Sequence, residues 1–99
     1  MLVKENILNN PEIIKICKKE NISFLALFGS YKNGNATEDS DIDLLIRLKG
    51  SQSLFRIIKI SREFSRLLHK KVDLLTEKAI SPYIKDNILN DLEVIYNEE

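Results

Sequence analysis

The chain is poor in cysteine and histidine, carries no net charge and has no long hydrophobic run, and each shortage closes off a class of protein. One cysteine, Cys17, admits no intrachain disulfide, and a lone thiol behind an N-terminus without a signal-peptide core leads us to expect a reducing cytoplasm. Cys17 shares an apolar helical face with Ile13 and Ile14 and has no histidine near it in sequence, so it reads as a packed core thiol rather than a nucleophile. Fifteen basic residues balance fifteen acidic ones, which argues against gripping long nucleic acid through counterion release and leaves a small, locally charged ligand open. No apolar run nears the roughly 20 residues of a membrane span, so no membrane partner is expected. Repeats, linkers and low-complexity segments are absent too. The single imidazole, His69, and its neighbours Lys70 and Lys71 lie between a predicted helix and a predicted strand and read as a solvated face closing that helix.

What is present is an ordinary 99-residue mixture, 43% hydrophobic and 30% charged, suited to one small domain spanning residues 1–99. Asn10, Pro11 and Glu12 form a helix start, and that helix runs to about Glu20. Residues 22–28 read as a buried strand, residues 30–34 as a short helical turn, and residues 41–48 as a second strand. Leu54, Ile57, Ile58, Phe64, Leu67 and Leu68 then recur at near-helical spacing to about His69. Val72 to Leu75 is a third strand, residues 83–90 a last helix with Ile84, Ile88 and Leu89 inward, and Leu92, Val94 and Tyr96 alternate as a closing strand. The order strand, long helix, strand predicts a right-handed βαβ crossover with parallel neighbours, and so an α+β fold around a small mixed sheet.

That topology gathers the chemistry. Gly29 and Ser30 follow the first strand, where a turn without a bulky Cβ lets backbone N–H groups approach a phosphate. Ten residues later Asp41 and Asp43 open the second strand, and period-two alternation points both carboxylates to one face, a donor pair that suits Mg²⁺. Asp73, near the start of the parallel third strand, should lie beside them, although it could also simply pair with Lys71. An antiparallel pairing of the first two strands would bring the Gly29-Ser30 turn to the same edge. Three carboxylates beside a phosphate-binding turn are what two-metal nucleotidyl transfer requires, with Asp73 serving the metal that activates the acceptor hydroxyl. Tyr31 could stack on a base or pack.

These residues, Gly29, Ser30, Asp41, Asp43 and Asp73, with the run Asp39-Ser40-Asp41-Ile42-Asp43-Leu44-Leu45, resemble the signature of the DNA polymerase β-type nucleotidyltransferases, and among them the minimal nucleotidyltransferase antitoxins of the MntA type. The resemblance covers nearly the whole chain and implies the polymerase β-like fold. It also implies that Gly29 and Ser30 bind the triphosphate of ATP, that Asp41 and Asp43 carry two Mg²⁺ ions, and that Asp73 completes the carboxylate triad. Many relatives read Gly-Ser-Tyr-Ala-Arg-Gly, and Asn33 stands here where that arginine is common, without its bidentate fork. Larger members of the superfamily add an acceptor-binding lobe, for which residues 74–99 leave little room. The resemblance thus implies an acceptor delivered by a partner, a HEPN-domain toxin that receives AMP on a tyrosine. Two other readings stay open: a non-catalytic nucleotide-binding or toxin-masking module, and a small-molecule transferase subunit of the aminoglycoside type.

Overall fold

Local sequence signals set the helix boundaries in the computed structural model, which describes residues 2–51 and 53–98. The Asn10 side chain accepts the Glu12 N–H at 2.9 Å and Pro11 opens α2 (Pro11–Lys19), whose Ile13 and Cys17 are fully buried. Strand β1 (Ile22–Phe28) follows, then a single helical turn, α3 (Ser30–Asn33), and β2 (Ile42–Leu48). Helix α4 (Leu54–Leu68) is capped by Ser53 and ended by His69, whose φ of 55° and N–H bond to the Ser65 carbonyl stop it at the surface. Strand β3 (Val72–Leu75), a 3₁₀ turn (Glu77–Ala79), α5 (Pro82–Asn90) and β4 (Glu93–Asn97) complete the order.

The sheet runs β3-β2-β1-β4, with β1 antiparallel to both of its neighbours and β2 parallel to β3 through the α4 crossover. Alternation sorts the strand residues between two layers. Leu25, Leu27, Leu44 and Ile46 pack with Ile13, Cys17, Ile60 and Phe64 from α2 and α4. Phe24, Ala26 and Leu45 face Ile80, Ile88 and Leu89 from the 3₁₀ turn and α5. Two serines of α4 lock the crossover: Ser61 Oγ donates to the Val72 carbonyl at 2.6 Å, and the Val72 N–H donates to Ser65 Oγ at 3.0 Å.

One element was not expected, and two expectations need correction. A helix, α1 (Lys4–Leu8), precedes α2 and buries Ile7 completely, although five residues carry too few apolar positions to reveal a period. In α4 the inward face is Ile57, Ile60, Phe64, Leu67 and Leu68; Leu54 and Ile58 belong instead to an exposed apolar end with Phe55, which is 87% exposed. In β4 the expected alternation breaks at a bulge: Leu25 pairs with Tyr96 and Ala26 with Val94, so Ile95 and Tyr96 both pack inward while Val94 is left exposed. The expectation for the Ile84 side chain falls outside the described residues. Among the described residues, no helix is long and apolar enough to cross a membrane.

Candidate active site

Hydrogen-bond ladders determine where the acidic residues sit. Phe28, the last residue of β1, pairs with Asp43 of β2, and Asp43 pairs on its other side with Asp73 of β3. Asp43 is therefore flanked across the sheet by the residue before Gly29 and by the third aspartate. Asp41 lies two residues earlier on the same face, held at the strand entrance by the Ile42 N–H bond to the Lys71 carbonyl at 2.9 Å. The expected convergence of Gly29, Asp41, Asp43 and Asp73 on one sheet edge is what the register produces.

Gly29 adopts φ +77°, the left-handed region that favours glycine, and turns β1 into α3 with its carbonyl accepting the Asn33 N–H at 3.1 Å. A Cβ there would be driven into the Asp43 carboxylate oxygen and would lie 3.2 Å from the Asp43 Cβ and Cγ. The turn and the carboxylate are thus in direct apposition. The Ser30 backbone opens α3, where the first N–H groups have no acceptor inside the helix; its side chain, and the phosphate contact expected of its hydroxyl, lie outside the described residues. Tyr31 is 2% exposed and packs into the core, which removes it as a stacking platform and leaves its hydroxyl buried without a hydrogen-bond partner.

The electrostatics follow from crowding like charges at a half-buried edge. Burial first, and then the charges of Asp73 and Asp41, push the Asp43 carboxyl above the usual aspartate range. The Asp41 and Asp73 side chains are each 42% exposed and share one cation: Lys71 Nζ stands 3.8 Å from an oxygen of each. The pairing of Lys71 with Asp73 is the alternative that the sequence left open for that carboxylate, whereas the contact with Asp41 was not expected from a lysine placed on a solvated face. The signal was available, because Lys71 and Asp73 alternate onto one face and Lys71 then falls across from Asp41.

The donor set fits a hard divalent cation: three carboxylates on one face, electrostatic strain at the innermost, and an ammonium group standing in for a cation between the outer two. Among the described residues no three acidic, histidine or cysteine side chains already form a closed cage, so side-chain rotation would accompany binding. Beside Gly29 lies a cleft of about 270 Å³ lined by Phe28, Asn33, Asn87, Ile88 and Asp91. Lys32, the cation nearest the Gly29 turn in sequence, is engaged by Asp91. Neither this cleft nor the larger ones of about 410 and 400 Å³ is lined by any of the three aspartates, so the carboxylates lie outside the concave surfaces and charge rather than shape marks them.

A small mixed sheet carrying a glycine turn against paired strand-borne aspartates defines a class, the nucleotidyltransferases. The family model described as Polymerase beta, Nucleotidyltransferase matches residues 11–99, and the chain belongs to that family. A candidate protein adenylyltransferase of Methanocaldococcus jannaschii is 38% identical over 81% of this chain and 86% of its own length. The protein adenylyltransferase MntA of Thermococcus cleftensis is 35% identical over 73% of this chain and 71% of its own. A solved candidate minimal nucleotidyltransferase superposes with a TM-score of 0.78 at 25% identity, covering 92% of this chain and 94% of that one. A structure of the tri-AMPylated Shewanella oneidensis HEPN toxin in complex with its MNT antitoxin matches with a TM-score of 0.67 at 20% identity, covering 91% and 71%. The polymerase β-like fold expected from the sequence is the fold observed.

Proposed function

We propose that this chain is a Mg²⁺-dependent protein adenylyltransferase that moves AMP from ATP to a tyrosine hydroxyl on a HEPN-domain toxin and so acts as its antitoxin. The observation that carries the proposal is the ladder Phe28, Asp43, Asp73, which holds the Gly29 turn and three carboxylates at one sheet edge. In the reaction the acceptor oxygen bonds to the α-phosphorus, the bond to pyrophosphate breaks, and the hydroxyl proton departs. Asp41 and Asp43 would hold the ions with Asp73 completing the set; bound Mg²⁺ would offset charge on the phosphates and lower the acceptor pKa. Asp73, at the outer strand and partly exposed, can receive the acceptor proton. The Gly29 turn would let backbone N–H groups bind the β- and γ-phosphates, and Ser30 would add its hydroxyl. Relatives named for protein adenylyltransfer, and the AMPylated HEPN toxin of the matched complex, support this reading.

One observation favours a masking module instead. Among the described residues, no cation lines the cleft beside Gly29, with Asn33 on its wall and Lys32 committed to Asp91. Labelled ATP incubated with the chain and its partner toxin separates the readings. Transfer predicts label on the toxin with the wild type and none with the Asp41→Asn, Asp43→Asn double variant. Equal labelling by both would sink the catalytic reading, and tight binding without any mass gain on the toxin would favour masking.

A further inference from the structure

The parallel register of β2 and β3 puts four charged residues at the corners of one small square. Ile42 lies opposite Val72 and Asp43 opposite Asp73, so one step earlier Asp41 faces Lys71, and period two turns all four side chains to the same face. The backbone at this corner is fixed by the Ile42 N–H bond to the Lys71 carbonyl. The ammonium group lies midway, 3.8 Å from Asp41 and 3.8 Å from Asp73. Among the described residues no other cation reaches ion-pair distance of the three aspartates. Lys71 is also 71% exposed on a flexible four-carbon stem, so it can swing into water with little loss of packing.

We propose that Lys71 is the resident counter-cation of the metal-free site, a positioning residue that holds Asp41 and Asp73 together until a divalent ion displaces it. The inference rests on the metal site proposed above. Without Lys71, three carboxylates would repel one another across two adjacent strands with no compensating charge. An ammonium ion and a divalent cation cannot share the same oxygens without repulsion at a few ångströms, so the arriving ion must displace the lysine. Lys71 therefore lowers the affinity for the metal while keeping the empty site compact. The exchange makes and breaks ion pairs only and moves no proton.

Calorimetric titration of the metal-stripped full chain with Mn²⁺, joined to thermal melts, tests this. The set is wild type, Lys71→Met, Lys71→Arg and, as a remote exposed charge on the 3₁₀ turn, Lys78→Met. The expected result is that Lys71→Met binds Mn²⁺ roughly threefold to tenfold more tightly, while Lys71→Arg and Lys78→Met stay near wild type. Lys71→Met should also melt below wild type without metal, and Mn²⁺ should raise its melting temperature more than that of wild type. Unchanged or weaker Mn²⁺ binding by Lys71→Met, or equal tightening by Lys78→Met, overturns the proposal. Failure of the wild type to bind Mn²⁺ removes the metal site and this role together. Binding by wild type that Lys71→Met leaves unaltered removes this role alone.

Discussion

At Gly29 the backbone turns through φ +77°, and the space where a side chain would begin is already occupied by Asp43. Adding one methyl group has two separable costs. The left-handed conformation disfavours any L-residue by about 1–2 kcal/mol, and the new Cβ displaces a carboxylate that the sheet ladder holds from both sides. Gly29→Ala should therefore weaken Mn²⁺ and ATP binding together, each by more than about tenfold, while lowering stability by only about 1–2 kcal/mol. Calorimetry with each ligand, beside a urea denaturation curve, checks this. Loss of ATP binding with Mn²⁺ affinity intact would show that the turn and the carboxylate are independent. At Tyr31 the sequence left packing and stacking equally open, because a tyrosine after a strand suits either; burial of its ring decided the matter.

Between elements, the contact of α2 with α4 contains a carboxylate pair that gives the fold a pH dependence. Glu20 ends α2, and its Oε2 is buried without a hydrogen bond, although the Lys59 ammonium stands 3.4 Å from it. Protonated, it donates to Glu63, and that hydrogen bond, with burial and the Glu63 charge, raises its pKa above the ordinary 4.5. Glu63 resists its own burial through the same bond and through Lys19, 2.7 Å away, and is held below 4.5. The signs are opposite. The Glu20 contribution is complete below 4.5 and is lost as pH rises through its raised value; the Glu63 contribution is present above 4.5 and is lost as pH falls through its lowered value. The clasp is strongest between the two. Glu20→Gln carries a permanent donor, so in urea unfolding it should lose less stability than wild type as pH rises above 4.5. An identical pH slope for the two proteins would mean that no proton is shared.

At this scale the sequence was legible where periodicity had room to repeat. Seven-residue strands and the fifteen-residue α4 showed their faces, and βαβ handedness then placed Asp73 beside Asp43. Helix α1 was not legible, because its existence depends on the pocket that receives Ile7. Leu54 and Ile58 fit the helical period yet are exposed, because that period continues past the last core neighbour. Pairing of Lys71 with Asp73 was open from their spacing, but its second partner, Asp41, follows only from the strand register, because the His-Lys-Lys run resembles any solvated helix end.

Over the whole molecule, the spacing of the site is set by pairing between strands and not by the chain that joins them. From Gly34 to Ser40 the connection is largely exposed, tied mainly by a Thr37 N–H bond to Ser40 Oγ at 2.9 Å and by Lys70 donating to the Glu38 carbonyl. Inserting four Gly/Ser residues between the exposed Gly34 and Asn35 should cost no more than about 1 kcal/mol and leave Mn²⁺ affinity within about twofold. Titration of the insertion variant tests it; loss of binding would assign the spacing to the loop. Phe28 opposite Asp43 is thus the ruler of the site, and the ruler works across a gap in the chain. A polypeptide severed at this loop would carry the glycine turn on one fragment and all three aspartates on the other. Neither piece alone would set the turn against the carboxylates; that apposition exists only where β1 lies beside β2, so the proposed site is a property of a seam and belongs to neither side of it.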